Sequence, residues 1–549
     1  MNILGISAGF SHDPAACIMV DGEIIYAIEE ERIIRKKYAD HERPIWAIKN
    51  CLEYAKLSLD DIDILAISWN PYLFPPDSLR PDDQRFFNAL FPKSLYGDYK
   101  KPQIKVINHH VAHAAHVFWN SPFKKSCVLV MDGTGENQSG SVFVASKQNG
   151  IEEKYTFNIG ESLGYFYQAA SSFCGLGFMG SGKLMGLAAY GVKDDFVFDN
   201  ITLDNSKGYH INNNLSIFDE NMRYWYNIFA QNGFRPNLFS KRPVFTPEYI
   251  AFASNVQNTL NNVMVSVVNA AITNTGIDEL CISGGVSMNS ATNLCISEQS
   301  KAERVFTFAG GGDSGSCIGA AMQAYFEETL TACKPLDNAY LGNRLTLDEI
   351  RDKLTGYNLT AKYIESDILY DEMSNLLVQG KSVGVVTGRE EFGARALGNR
   401  SILYNPTEPN GRTILNQVKK REYWRPFAPV ILEKCFPDYL LNAYVSKYMT
   451  CNFHVSEIGQ KQMAEAIHID NTCRPQMADG NSFISKLLDR YYCATGSGAL
   501  LNTSFNTKGN PIVHNVEDAL REFYTSGLDC LLLENYLLTK KTKEHSKLV

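Results

Sequence analysis

Nowhere in the 549 residues does an apolar run approach the ~20 positions that a membrane-spanning helix needs. The N-terminus, Met-Asn-Ile-Leu-Gly-Ile-Ser, has neither a basic n-region nor a small-residue cleavage site, so it reads as a first core strand. Thirteen cysteines contain no CxxC pair, which excludes a zinc ribbon or a thioredoxin-type redox motif. Cys17, Cys127, Cys281 and Cys317 stand singly in apolar surroundings, as reduced core thiols of a cytoplasmic protein would. No basic tract occurs, and 52 Lys and Arg against 60 Asp and Glu leave a formal charge of −8. This balance argues against nucleic acid as the main ligand while allowing a local basic pocket for phosphate. Low-complexity stretches are lacking too.

What is present is an ordinary globular composition, 45% apolar and 20% charged, in a chain too long for one core. Asn2 to Ser7, Ala15 to Val20 and Glu23 to Glu29 read as strands, joined by a polar turn from Ala8 to Pro14 and by the hairpin signal Asp21-Gly22. The layout recurs at Cys127 to Met131, Asp132 to Ser139, Gly140 to Ala145 and Ile151 to Tyr155, which points to two related halves. Duplicated sheets joined by Gly-rich turns and followed by helices are the plan of the actin/hexokinase-like fold, with a nucleotide between the halves. Helices are expected from Asn108-capped His109 to Trp119, from Thr246 to Thr273, from Asp313 to about Leu330 and from Asp348 to Leu354. Gly380 to Thr387 reads as strand, Phe505 to His514 as loop, and the tail after Thr539 as a solvated end. The polar segment Ala332 to Asn343 marks a boundary, giving expected domains 1–332 and 333–549.

The expected histidine helix carries four of the eleven histidines. His109 and His113 are four apart and share a face, about 6 Å between Cβ atoms, close enough for one ion. Asp132 ends an apolar strand, and Asp313 follows three glycines that permit close backbone approach. Two histidines with two carboxylates suit Fe(II), with Zn or Mn as alternatives; His116 competes as a ligand, and His110 points elsewhere. Gly284 and Gly285 at a strand end, followed by Asn289, let a phosphate or ribose lie against the backbone. Gly180-Ser181-Gly182-Lys183 lacks the spacing and the Ser/Thr of a Walker A loop. Arginines recur beside small polar residues in Phe392-Gly393-Ala394-Arg395-Ala396-Leu397-Gly398-Asn399-Arg400, in Lys419 to Pro429 and in Leu501 to Pro511, as a dense anionic ligand needs.

The first-domain set His109/His113, Asp132, Gly284-Gly285-Val286 with Asn289, and Asp313 resembles the threonylcarbamoyl-transferase component of tRNA modification. With residues 5–13, 31–37 and 182–191, nearly the whole chain resembles the antibiotic and nodulation-factor O-carbamoyltransferases. The Lys-x-Arg pair Lys419/Arg421 and the Thr503-Ser504-x-Asn506 loop are similar to those of threonylcarbamoyl-adenylate synthase. The fold class implied is α/β: an actin/hexokinase-like duplicated N-terminal domain plus a smaller synthase-like C-terminal domain. Two departures stand out, Asn471 to Gln476 where the family usually has Asp-Gly-Thr-Ala-Arg, and Ala394 where many members carry proline.

The resemblance implies that the second domain takes ATP, with Mg²⁺, and carbamoyl phosphate to carbamoyl-adenylate. Arg395, Lys419, Arg421, Arg425 and Arg474 would meet phosphate there, and Asn502, Ser504 and Asn506 would orient the carbamoyl end. The first domain would hold the adenylate at Gly133, Lys183, Gly284, Gly285 and Asn289 and a metal at His109, His113, Asp132 and Asp313. His12 is the candidate base, and Lys37 a contact to nucleotide or acceptor. Expected partners are a small-molecule hydroxyl acceptor and no nucleic acid or membrane, with a homodimer left open. A tRNA threonylcarbamoylation enzyme, a sugar kinase or ATPase of the same fold, and a non-catalytic regulator are the competing readings. The aromatics Phe218, Tyr224, Trp225, Tyr226, Phe229 and Phe234 are either an acceptor platform or an ordinary surface lobe.

Overall fold

A computed structural model describes residues 1–7, 12–73, 80–81, 83–237, 241–478 and 480–540. Most of the first expected turn, 8–11, and the tail from 541 onward lie outside the described residues. The chain divides into two compact units. The first holds Met1–Ala339 with the short segments Phe392–Ala394 and Thr450–Asn452, and the second holds Tyr340–Glu391, Arg395–Met449 and Phe453–Val549.

The first unit contains two five-stranded sheets of one design. In the first, β1 (Asn2–Ser7), β2 (Ala15–Val20), β3 (Glu23–Glu29), β4 (Ile64–Ile67) and β5 (Gln103–Val106) lie in the order β3-β2-β1-β4-β5. In the second, β6 (Lys125–Gly135), β7 (Gln138–Ser146), β8 (Gly150–Asn158), β9 (Glu279–Ser283) and β10 (Arg304–Phe306) lie in the order β10-β9-β6-β7-β8. Each sheet opens with an antiparallel meander and continues with two parallel strands, so the repeat in sequence is a repeat in topology. The unit is the duplicated α/β architecture of the actin/hexokinase plan.

Strand β1 shows how alternation builds the layers. Leu4 and Ile6 face a core closed by Ala47, Ile48, Cys51 and Leu52 of the helix Ile45–Ala55. Gly5 points to the other face, where a Cβ would run into the Cys317 carbonyl oxygen of the helix Ser316–Thr329. That helix also passes the histidine helix, His109–Trp119, at Gly319, whose missing Cβ makes room for the Ala112 carbonyl. Glycine at these two positions sets how deeply the histidine helix is seated.

Strand β6 runs four residues past Met131, to Gly135, where a turn and not a strand end was expected. It pairs with β7 at Met131↔Gly140 and again at Gly135↔Gln138, with a register irregularity between. Asp132 therefore leaves the ladder from inside a strand, not from its end. Of the aromatic segment, Trp225 and Phe229 belong to the core, whereas Phe218 is exposed and Tyr224, Tyr226 and Phe234 are half-buried. Trp225 and Phe229 of the helix Phe218–Gln231 are wholly buried, packed on Phe166, Phe173 and Phe252. Their helical spacing puts them on the apolar inner face.

The second unit is built on one eight-stranded mixed sheet. Its spatial order is Lys362–Tyr363, Tyr536–Thr539, Cys530–Leu533, Val383–Val386, Arg400–Tyr404, Ala499–Ser504, Ala428–Leu432 and Gln476–Ala478. The central strands are buried on both faces and read as continuous apolar runs, with helices such as Leu369–Val378, Phe483–Thr495 and Val516–Thr525 between them in sequence.

Two outcomes follow. Gly5→Ala is expected to lower stability by roughly 1–3 kcal/mol through overpacking against Cys317, read as a fall in the thermal midpoint. Buried Glu30 accepts hydrogen bonds from the backbone N–H groups of Trp46 (3.1 Å) and Ala47 (2.7 Å) at a helix start that lacks its own side-chain cap. Burial outweighs these bonds and raises its carboxyl from 4.5 to about 7. Between those values the unfolded chain holds fewer protons than the folded one, so stability falls as pH rises. Glu30→Gln is expected to flatten that decline, by about 2–3 kcal/mol between pH 4.5 and 8 in denaturant titrations.

Candidate metal centre and cationic cluster

Four side chains from three elements of the first unit converge on one point. His109 and His113 come from the histidine helix, Asp132 from β6, and Asp313 from the turn before the helix Ser316–Thr329; one ligand atom of each lies within 4.8 Å of all the others. The two Nε2 atoms are 3.1 Å apart. Asp132 Oδ2 is 3.5 Å from His109 Nε2 and 3.3 Å from His113 Nε2, and Asp313 Oδ1 is 3.8 and 3.7 Å from the same atoms. Donors about 2.0–2.2 Å from a common ion sit roughly 3–3.5 Å from one another, so these separations fit a cation.

The surroundings prepare the donors for that role. His109 Nδ1 faces the Ser68 carbonyl oxygen at 3.3 Å, which directs the Nε2 lone pair inward. His113 Nδ1 faces Ser283 Oγ at 3.5 Å. Asp132 Oδ1 accepts from the N–H groups of Gly133 (2.7 Å) and Gly285 (3.3 Å), whereas its buried Oδ2 has no hydrogen-bond partner. A buried carboxylate oxygen left open toward two imidazole nitrogens is what a metal-binding donor set requires. Burial opposes charge on His113, yet the adjacent carboxylates Asp132 and Asp313 carry it up to about 9. Burial likewise opposes ionisation of Asp132, but His109 and His113 hold its carboxyl well below the ordinary range.

The other two histidines of the helix stay outside the set. His110 Nδ1 meets Ser141 Oγ at 2.8 Å, pointing away as expected. His116, weighed as a competing ligand, packs edge-on to Phe308 with neither ring nitrogen hydrogen-bonded. Burial drives both down to about 3, so they are neutral. His12 Nδ1 is 3.0 Å from Asp13 Oδ2 and 4.0 Å from Asp313 Oδ2, at the edge of the cluster. Burial lowers its proton affinity, and Asp13, Asp313 and Asp132 more than offset this, raising it to about 9. Lys37 pairs with Glu31 Oε1 at 2.9 Å, and the neighbouring Tyr38 carbonyl accepts from Asp13 N–H, tying this loop to the His12 turn.

The glycines do what close approach demands. Gly284 has φ +86°, and a Cβ there would run into the Met131 backbone; one on Gly285 would press on Asp132 Oδ1. Gly133 lies against the Tyr165 ring, and Lys183 sits on the helix Ser181–Ala188. Asn289 caps the helix Ser290–Gln299 by accepting from Thr292 N–H, and its amide donates to Gln257 Oε1 at 3.0 Å. Gln257 comes from the long helix Pro247–Thr275, whose apolar stripe gave no sign of a role near the site.

In the second unit, Arg474 is pushed well below its ordinary proton affinity, first by burial and then by the charges of Arg395, Arg421 and Arg425. Burial and Arg425 act in the same direction on Arg421, which lies over the Phe427 ring at 4.1 Å and donates from Nε to Asn416 Oδ1 at 2.6 Å. Glu422 Oε2 stands 3.7 Å from Arg425. Such mutual repulsion is relieved by an anion. Lys419 Nζ donates to the Ser504 carbonyl, to Ser504 Oγ (3.0 Å) and to Asn506 Oδ1 (2.7 Å), so it braces the loop expected to hold the carbamoyl end. Asn502 donates to Gln476 Oε1 at 2.9 Å and keeps a buried Oδ1 without a partner.

The two arginines of the Phe-Gly-x-Arg-Ala-Leu-Gly-Asn-Arg motif divide their work. Arg395 belongs to the cationic cluster, whereas fully buried Arg400 donates to the carbonyls of Thr387 (2.9 Å), Asn399 (3.0 Å) and Asn343 (2.9 Å). Glu391 Oε1 gathers the N–H groups of Leu397, Asn399 and Arg400 at 2.6–3.1 Å and so shapes the loop. Glu391 carried no signal in the sequence apart from its nearness to the motif.

Residues 2–74 and 89–322 match the Carbamoyltransferase N-terminus family, and residues 374–540 match the Carbamoyltransferase C-terminus family. An uncharacterized protein of Synechocystis, sll1178, is 32% identical, with 98% of this chain and 97% of that one covered. Nodulation protein NolNO of Sinorhizobium fredii is 30% identical over 98% of this chain and 81% of its own length. Among solved structures, full-length HypF in its phosphate- and nucleotide-bound form is 16% identical at a TM-score of 0.36, covering 59% of this chain and 55% of that one. ROK hexokinase from Thermus thermophilus is 13% identical at a TM-score of 0.28, covering 60% of this chain and all of that one. Among the described residues no helix is long and apolar enough to cross a membrane. With both family domains matched in order along nearly its whole length, the chain belongs to the carbamoyltransferase family, and carbamoyl transfer is its chemistry.

Proposed function

We propose that the protein is an ATP-dependent O-carbamoyltransferase that passes the carbamoyl group of carbamoyl phosphate, by way of carbamoyl-adenylate, to a hydroxyl of a small molecule. The observation that carries this reading is the gathering of Arg395, Arg421, Arg425 and Arg474 in the second unit, a site whose self-repulsion calls for a polyanion such as a nucleoside triphosphate. Water would release phosphate from carbamoyl phosphate, and a carbamate oxygen would then attack the α-phosphorus of Mg²⁺-bound ATP. That forms a P–O bond to carbamoyl-adenylate and breaks the bond to pyrophosphate. The arginines neutralise the charge that develops, while Lys419, through Ser504 and Asn506, and Asn502, through its open Oδ1, orient the small carbamoyl end.

In the first unit the adenylate would lie along Gly133, Gly284, Gly285 and Asn289, with Lys183 toward its phosphate. His109, His113, Asp132 and Asp313 would hold Fe(II) or another divalent ion, which supplies Lewis acidity toward a carbonyl or phosphate oxygen. His12, 4.0 Å from Asp313, would take the acceptor's proton. The carboxylates around it raise its proton affinity, so its role as base would require their charge to be offset, as a divalent ion held by the four donors would do. Lys37, held by Glu31 on the loop tied to that turn, is a contact for nucleotide or acceptor. The acceptor hydroxyl oxygen bonds to the carbamoyl carbon and AMP leaves.

The two half-reactions are separable by mutation. His109→Ala combined with His113→Ala is expected to cut carbamoyl transfer by at least on the order of 100-fold while preserving ATP–pyrophosphate exchange that depends on carbamoyl phosphate. Arg395→Ala is expected to lose both. Turnover monitored by mass spectrometry with ATP, carbamoyl phosphate, Fe(II) and a panel of hydroxylated metabolites should show AMP rising with the carbamoylated product. Turnover without AMP would refute the adenylate route.

A further inference from the structure

Glu136 is outside the four donors, yet among the described residues its carboxylate bonds go to the segments that place them. It occupies the two-residue turn between β6 and β7, where Gly135 pairs with Gln138, and takes φ +63°. This left-handed conformation suits Asn or Gly in such turns and is uncommon for a long side chain. Its carboxylate is spent on three partners. Oε1 accepts from the backbone N–H groups of Asn70 (3.0 Å) and His109 (3.2 Å), and Oε2 accepts from Asn108 Nδ2 at 2.6 Å.

The three partners belong to two arms of the centre, the start of the histidine helix and the loop that carries Ser68. Asn108 caps the histidine helix, its Oδ1 accepting from Val111 N–H at 3.1 Å, and His109 is the first helical residue and a donor itself. Asn70 lies two residues beyond Ser68, whose carbonyl faces His109 Nδ1, and Trp69 between them packs on the His109 ring at 4.3 Å. Glu136 itself stands four residues after Asp132 on the same strand-and-turn. The negative charge at the helix start also satisfies an N–H that has no partner within the helix.

We infer that Glu136 is a positioning residue that locks the helix start, the Ser68–Asn70 loop and the Asp132 hairpin into one frame and thereby fixes the tautomer and direction of His109 toward a bound metal. The inference rests on the metal reading proposed above. Outer-shell partners of this kind, when removed, weaken metal binding roughly 10- to 100-fold.

The test uses the full-length protein with Co²⁺ as a spectroscopic probe. Affinity is read by competition with a chromophoric chelator, and geometry by the d–d absorption envelope. Glu136→Gln keeps the size of the side chain, removes its charge and turns one acceptor into an amide donor. It is expected to weaken Co²⁺ binding roughly 10- to 100-fold and to alter the d–d envelope. Glu136→Asp, which keeps the charge on a shorter arm, is expected to fall between it and the wild type. Far-UV circular dichroism matched to the wild type separates positioning from a folding defect; should Glu136→Gln fail to fold, Glu136→Asp carries the comparison. Wild-type affinity and an unchanged envelope in both variants would overturn the role of Glu136 while leaving the metal reading intact. Absence of Co²⁺ binding in the wild type would overturn the metal reading and this inference together.

Discussion

Two carboxylates and two imidazoles with little access to water have to be held within a few ångströms of each other, and much of the first unit is arranged around that requirement. Asp132 and Asp313 repel one another and are costly to bury as anions, so they need positive charge from protonated histidine or from a cation. The helix, strand and turn that supply the four groups are each fixed by contacts that tolerate almost no change. Gly319 lets the histidine helix lie close to the helix Ser316–Thr329, and Gly284 and Gly285 let their loop lie against Met131 and Asp132. Bulk at any of these positions would spread the donors.

The second unit answers the opposite electrostatic problem. Arginines that depress one another's proton affinity are unfavourable in the free protein and become favourable when an anion arrives. Its backbone is held by groups of the complementary kind, with Glu391 collecting amides and Arg400 collecting carbonyls, so the loop that presents Arg395 does not depend on the ligand for its shape. A site that stores repulsion needs a frame that does not yield to it.

The duplicated sheets were legible because strand, turn and hairpin signals recur in the same order, and both halves do fold with one strand order. His109 and His113 were legible because helical spacing alone puts them on one face. The extent of β6 was not, since a bulge between Met131 and Gly135 hides a strand inside a Gly- and Asp-rich stretch that reads as a turn. Nor was the destiny of Trp225 and Phe229: composition marks them as aromatic but does not reveal that they face Phe166, Phe173 and Phe252. His116 shares the ligand face by spacing, and only its packing on Phe308 shows that it stands apart from the donors.

The sequence by itself determined the residue types, their local spacing and the family, because short-range periodicity and motif order are properties of the chain. Which atoms meet was decided by tertiary structure alone. Asp132 and Asp313, 181 residues apart in sequence, are brought to the same two histidines, and Glu136 is brought to Asn70 across 66, by sheet pairing and helix packing that no local pattern encodes. Charge repulsion, orphaned oxygens and bracing hydrogen bonds exist only once those distant groups share a few ångströms of space.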